Sequence, residues 1–206
     1  MRIDLHTHST ISDGTDSPTR LVMKAATSGL DVIALTDHDT FDGLEEAQAA
    51  GQRFGVRLLP GLEMTCHIGG RDVHLLGYGP HPDDPALGRE LQITRDSRVG
   101  RLDAICQILA EVGMSVTTAD VHRAAGSASS LGRPHVADAM VAKGYVEDRD
   151  EAFRDWLADG KPAYVPRHSV ALEEGIDLIH DAGGVAVLAH PWGRGAQQVL
   201  TPQVIA

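Results

Sequence analysis

Asp31-Val32-Ile33-Ala34-Leu35, followed at once by Thr36-Asp37-His38-Asp39, is an apolar run that stops abruptly in polar and charged residues. An apolar stretch of this kind, with no polar alternation, suits a strand covered on both faces. Upstream, Gly29 stands as the C-terminal cap of a helix spaced over Thr19 to Ser28. The turn-rich Ser12-Asp13-Gly14-Thr15-Asp16-Ser17-Pro18 introduces that helix, and Ile3 to Leu5 form an earlier short strand. Downstream, a helix from about Gly43 to Phe54 ends at Gly55 and gives way to the strand Val56-Arg57-Leu58-Leu59-Pro60-Gly61-Leu62. The order strand, helix, strand, helix, strand predicts an α/β fold with a parallel sheet.

Met64 to Ile68 and Arg71 to Tyr78, joined by Gly69-Gly70, then read as a hairpin. No strand is readable from about Ala86 to Gly160. A long amphipathic helix over Ala86 to Val112 places Leu91, Val99, Leu102, Ile105, Ile108 and Leu109 on one face, and shorter helices follow near Ala119 to Ala125, Pro134 to Lys143 and Glu147 to Leu157. We read residues 86–160 as a helical subdomain inserted into a unit made of residues 1–85 and 161–206. A helix near Leu172 to Ala182 and the strand Val185 to Ala189 resume the α/β alternation there.

Composition narrows the function. Of 206 residues, 29 are acidic and 18 basic, for a formal charge of −11, which argues against a broad basic nucleic-acid surface. It leaves room for a short nucleic-acid end entering a pocket. No apolar run approaches the roughly 20 residues of a membrane helix, and polar residues stand where a signal peptide would carry its apolar stretch, so a cytoplasmic protein without a membrane partner is expected. Cys66 and Cys106 could form one bridge at most and lack metal-finger spacing. Histidine is the anomaly: there are 11, against 2 Trp, 3 Tyr and 3 Phe.

The histidines and carboxylates gather at the C-terminal ends of the predicted strands, where parallel α/β folds build their sites. His6-Thr7-His8 ends the first strand, and alternate residues of an extended chain share a face, so both imidazoles can reach one ion. Asp13 follows in the loop. The second strand ends in His38, the third in Glu63, the hairpin offers His74, and the last strand ends in His190-Pro191. Read separately, these would be hydrogen-bonded residues at strand mouths. Converging without partners, they would cost several kcal/mol per buried charge. Divalent cations remove that cost, and mixed histidine and carboxylate donors suit Mn²⁺, Zn²⁺ or Fe²⁺ better than Mg²⁺ or a thiolate site.

Together, the stretches His6 to Gly14, Ala34 to Thr40, Gly61 to Met64, Val73 to Tyr78 and Leu188 to Pro191 resemble the successive motifs of the PHP (polymerase and histidinol phosphatase) family. The resemblance implies a distorted (β/α)7 barrel and a centre of two or three divalent ions that hydrolyses phosphoesters. It implies His6, His8 and Glu63 for the first ion, Asp13 and His38 for the second, and Glu63, His74 and His190 for the third, with Glu63 bridging. Asp37 and Asp39 match the motif but not a ligand position and read as loop hydrogen-bonding residues. The family's final Asp-x-His has no counterpart, since no histidine follows His190. The expectation is therefore a barrel lacking its C-terminal part, the chain being a fragment or a partner supplying the missing groups.

Ser130-Leu131-Gly132-Arg133-Pro134-His135-Val136 sets Arg133 and His135 at a proline-initiated helix, whose N-terminus favours anions. This resembles an element of the PHP branch that dephosphorylates nucleoside 3′,5′-bisphosphates and trims short RNAs from the 5′ end. It implies a nucleotide phosphate ester as substrate, with Arg133 and His135 binding it. As structural residues they would be a helix-end ion pair and a surface histidine. Lys161, Tyr164, Arg167 and His168 are weaker candidates for the same pocket, and a solvated connecting segment accounts for them equally. His67, His81, His122 and His180 match no motif and read as surface residues. Histidinol-phosphate phosphatase and a non-catalytic metal-binding module are the alternative functions.

Overall fold

The computed structural model describes residues 1–126, 128, 131–166, 168–193 and 196–205. Ser130, Arg167 and the side chain of Val99, all used in the sequence reading, lie outside the described residues. β1 (Ile3–Thr7), β2 (Val32–Leu35) and the start of β3 (Arg57–Ile68) run parallel, connected by α1 (Pro18–Thr27) and α2 (Leu44–Phe54). β3 changes partner at Pro60-Gly61: Pro60 is its last residue opposite β2, and Gly61 is its first opposite β4 (Arg71–Tyr78), which runs antiparallel. Proline cannot donate to a ladder, so its place is where pairing is being handed over. The expected strands Val56 to Leu62 and Met64 to Ile68 are thus one continuous strand.

β4 pairs antiparallel with β6 (Val185–Leu188), and the two-residue β5 (Val170–Ala171) lies against β3 at Cys66 and His67. The result is a mixed, curled and open sheet in the order β1-β2-β3-β4-β6, an incomplete form of the expected barrel. With β3 unbroken, the unexpected β5 brings the sheet to six strands among the described residues. It is too short to leave a pattern in the sequence.

The remaining helices are α3 (Pro85–Glu111), α4 (Thr118–Ala125), α5 (Arg133–Ala142), α6 (Arg149–Ala152, running into a π-helical turn over Phe153–Leu157), α7 (Leu172–Asp181) and α8 (Pro202–Ile205). Their starts follow capping chemistry: Asp84 accepts from Ala86 and Leu87 N–H ahead of Pro85, and Thr117 and Asp120 cap reciprocally. Among the described residues no strand falls between 86 and 160. Three apolar clusters hold the molecule. One packs α1 and α2 on β2, through Val22, Ile33, Leu35 and Ala47. A second packs α7 on β3 and β4, through Leu62, Met64, Leu75 and Ile179. The third is helical, through Ile105, Leu109, Val136 and Met140. α3 ties the second to the third, since Leu87 and Leu91 lie in one and Leu102, Ile105 and Leu109 in the other. No helix among the described residues is long and apolar enough to cross a membrane.

Candidate metal centre

The parallel half of the sheet carries its strand ends toward the middle of β3, and there His38 forms a single parallel bridge with Glu63. Glu63, only 1% exposed, is the hub. Its Oε2 lies 3.0 Å from His6 Nε2 and 3.0 Å from His8 Nε2, and its Oε1 lies 2.8 Å from His74 Nδ1 and 2.9 Å from His190 Nε2. His38 Nδ1 stands 3.5 Å from Oε2. Asp13 closes the other side, 3.6 Å from His8 Nδ1 and 3.6 Å from His38 Nε2. The structure thus brings all seven predicted ligand residues together.

Backbone geometry around the cluster is specialised. His190 and Asp39 have positive φ, at 31° and 54°, conformations that side chains other than glycine adopt only when their surroundings impose them. Asp37, buried, accepts from Ser9 N–H at 2.7 Å, Ser9 Oγ at 2.6 Å and Ser12 Oγ at 2.6 Å, fixing the loop that carries Asp13. Asp39 accepts from Thr65 N–H at 2.7 Å and Thr65 Oγ1 at 3.0 Å, fixing the strand that carries Glu63. Gly14 lies so close to the His8 carbonyl that a Cβ would sit 2.4 Å from its oxygen. Asp37 and Asp39 are therefore scaffolding, as expected.

Burial alone would raise Glu63, yet hydrogen bonds from His190, His6, His74 and His8 outweigh it and hold the carboxyl far below the usual range. Asp13 is also held low, with His38 and His8 outweighing burial. The residues fit divalent ions on three counts. Two donors each about 2.1 Å from one ion, at right or tetrahedral angles, are roughly 3.0 to 3.4 Å apart, close to the separations here. Three overlapping sets, His6/His8/Glu63, His8/Asp13/His38 and His38/Glu63/His74, each bring their donor atoms within 4.8 Å of one another. His38 Nδ1 is buried without a hydrogen-bond partner, as a donor atom awaiting a cation would be.

The centre opens into a cavity of about 680 Å³ whose lining includes Asp13, His38, His74 and His190 on one side and Arg71, Arg101, Arg133 and Arg149 on the other. Asp72, Asp150 and Asp159 line it as well, so with Asp13 the four arginines are matched by four aspartates and the lining is formally neutral in a chain of net charge −11.

Residues 4–158 match the PHP domain. The chain belongs to the PHP family. It is 38% identical over 203 residues to a 3′,5′-nucleoside bisphosphate phosphatase of Chromobacterium violaceum, covering 98% of this chain and 71% of that protein. It is 35% identical over 198 residues to a 5′-3′ exoribonuclease of Haemophilus influenzae, covering 92% of this chain and 69% of that protein. The crystal structure of a candidate metal-dependent phosphoesterase from Bifidobacterium adolescentis superposes with a TM-score of 0.91 at 33% identity, over 98% of this chain and 72% of that one.

Within this PHP domain the residues expected at the substrate divide by position. Arg133 lines the cavity, with Nη1 donating to the Leu157 carbonyl at 2.9 Å and its guanidinium lying over the rings of Phe153 and Tyr164. His135 also lines the cavity, and both its ring nitrogens have hydrogen-bond partners within the chain. Tyr164 lines the cavity, Lys161 is exposed outside its lining, and His168 is turned to Glu90 at 2.7 Å. His67 bonds the Ser169 carbonyl beside β5, while His81, His122 and His180 are exposed. The sequence reading missed Arg71, Arg101 and Arg149. Arg101 alone left a signal, a cation next to Leu102 on the apolar side of α3. Trp192, two residues past His190, is 75% exposed.

Proposed function

We propose that this PHP chain hydrolyses phosphate monoesters of nucleotides, with nucleoside 3′,5′-bisphosphates as the favoured substrates and the 5′ ends of short RNAs as a second class. The observation that carries the reading is the pairing of three overlapping ligand sets with an arginine-lined cavity. The names of the Chromobacterium and Haemophilus relatives support the choice of substrate. His6, His8, Asp13, His38, Glu63, His74 and His190 would hold two or three divalent ions, Mn²⁺ first, with Zn²⁺ or Fe²⁺ as alternatives. When bound, such ions supply Lewis-acid chemistry, acidifying a water and neutralising phosphoryl oxygens.

The chain's own residues do the positioning. Glu63 gathers histidines from separate strands around one carboxylate, and Asp37 and Asp39 hold the two segments that deliver Asp13 and Glu63. Arg133, at the first turn of α5, would take the phosphate that is not cleaved, leaving the ester phosphorus against the centre. In this reading residues 86–160 form the substrate-side subdomain, set into a barrel unit of residues 1–85 and 161–206. The two buried cysteines, which form no disulfide, support a cytoplasmic setting.

A phosphate-release screen with Mn²⁺ tests this, comparing adenosine 3′,5′-bisphosphate, mononucleotides, short 5′-phosphorylated RNAs and histidinol phosphate. The expected order puts the bisphosphate first. Preference for histidinol phosphate, or no metal-dependent release from any substrate, would overturn it.

A further inference from the structure

His135 is 4% exposed and joins two segments 123 positions apart. Its Nδ1 accepts from Gly132 N–H at 3.1 Å, within its own helix start, which leaves Nε2 as the protonated nitrogen, and Nε2 donates to the Ser12 carbonyl at 3.0 Å. Burial pushes this imidazole's pKa down, which favours the same neutral form. Ser12 immediately precedes Asp13. The rest of that loop is held from the sheet side, by Asp37 on Ser9 and Ser12 and by the bonds from Ser12 and Gly14 N–H to the Ser9 carbonyl. His135 supplies a tether from the opposite side, out of α5.

We propose that His135 is a positioning residue whose bond to the Ser12 carbonyl sets the Asp13 carboxylate for ion binding, so that cation affinity in the centre depends on the docking of α5. Arg133, two residues earlier, faces the cavity, so one helix turn carries both the substrate contact and the tether of the Asp13 loop. This rests on the reading of Asp13 as a metal ligand. A carboxylate on a loop free to sample other positions binds less tightly than one already placed, because ordering it is charged against binding.

Two substitutions separate the tether from the fold. In H135Q the amide nitrogen reaches about as far as Nε2 and can still donate to Ser12. In H135N the shorter side chain reaches only as far as Nδ1, serving Gly132 but not Ser12. The measurements are Mn²⁺ binding by titration, steady-state turnover of p-nitrophenyl phosphate against Mn²⁺ concentration, and amide hydrogen exchange over residues 9–14 in the metal-free protein. H135N is expected to weaken the loosest class of Mn²⁺ about tenfold, the upper range for one neutral hydrogen bond, and to speed exchange in the loop by a similar factor. KM at saturating Mn²⁺ should hold, and H135Q should lie near wild type. Unchanged exchange and Mn²⁺ affinity in folded H135N would overturn the proposal, as would a rise in KM alone, which would make His135 a substrate contact. Absence of Mn²⁺ binding in the wild type would instead overturn the metal-centre reading, while the exchange arm would still decide whether His135 holds the loop.

Discussion

Replacing Glu63 by Gln keeps the side chain's size and removes the charge around which His6, His8, His74 and His190 are gathered. The variant is expected to lose roughly 10³-fold or more in turnover, since it removes a shared anionic ligand worth several kcal/mol, and to retain less metal by elemental analysis. Full metal content with full turnover would refute the central place given to Glu63. Arg133→Ala should raise KM for a 3′,5′-bisphosphate by about 10- to 100-fold, as for a lost charge-assisted hydrogen bond, with little effect on p-nitrophenyl phosphate. Equal losses on both substrates would move Arg133 to the scissile phosphate or into the fold. Of the seven candidate ligands, His6, His38, Glu63 and His190 were legible because side-chain type and the end of an apolar run coincide there, His8 because it shares a face with His6, while Asp13 in the next loop and His74 inside the hairpin stood out only beside them. Arg71 and Arg149 were not legible, because an arginine on a cavity wall and one on the surface look alike until distant elements pack. His135 was found as a residue, but its bond to Ser12 was not, since that partner lies 123 positions away in another segment.

At the level of elements, α4 offers a test by pH. Asp120 takes hydrogen bonds from Lys143, Thr117 and Arg123 that hold its carboxyl below the ordinary carboxylate range. A carboxyl depressed in the folded state stabilises it fully above the unfolded value of about 3.9 and loses that contribution as pH falls further. The melting temperature of D120N should therefore lie below wild type near neutrality, and the difference should shrink below about pH 4; a constant difference would mean the ion pairs contribute nothing. Element order and helix positions were readable from apolar spacing and caps, to within a residue or two at most ends. The unbroken β3 was not, because Pro60-Gly61 reads as an end in the sequence, whereas in the sheet it marks the change from β2 to β4 as partner. The turn after α6 was read as ordinary helix, and its wider π spacing over Phe153 to Leu157 has no local signature.

For the molecule as a whole, the centre draws on residues from His6 to His190, so cations held there bind only the folded chain. Mn²⁺ at about 100 times its Kd should add roughly 2.7 kcal/mol and raise the melting temperature by about 5 to 10 °C, and EDTA should reverse it. No shift on either addition would mean the cluster is a hydrogen-bonded scaffold. The two tryptophans give this molecule a built-in pair of optical reporters. Trp192 stands in solvent just past His190, where its emission will answer to whatever enters the neighbouring centre. Trp156 is packed against the helical core, and its signal will follow the integrity of that half alone. Separating the two colours of fluorescence would let ion binding and the melting of the helices be timed independently in one unlabelled sample.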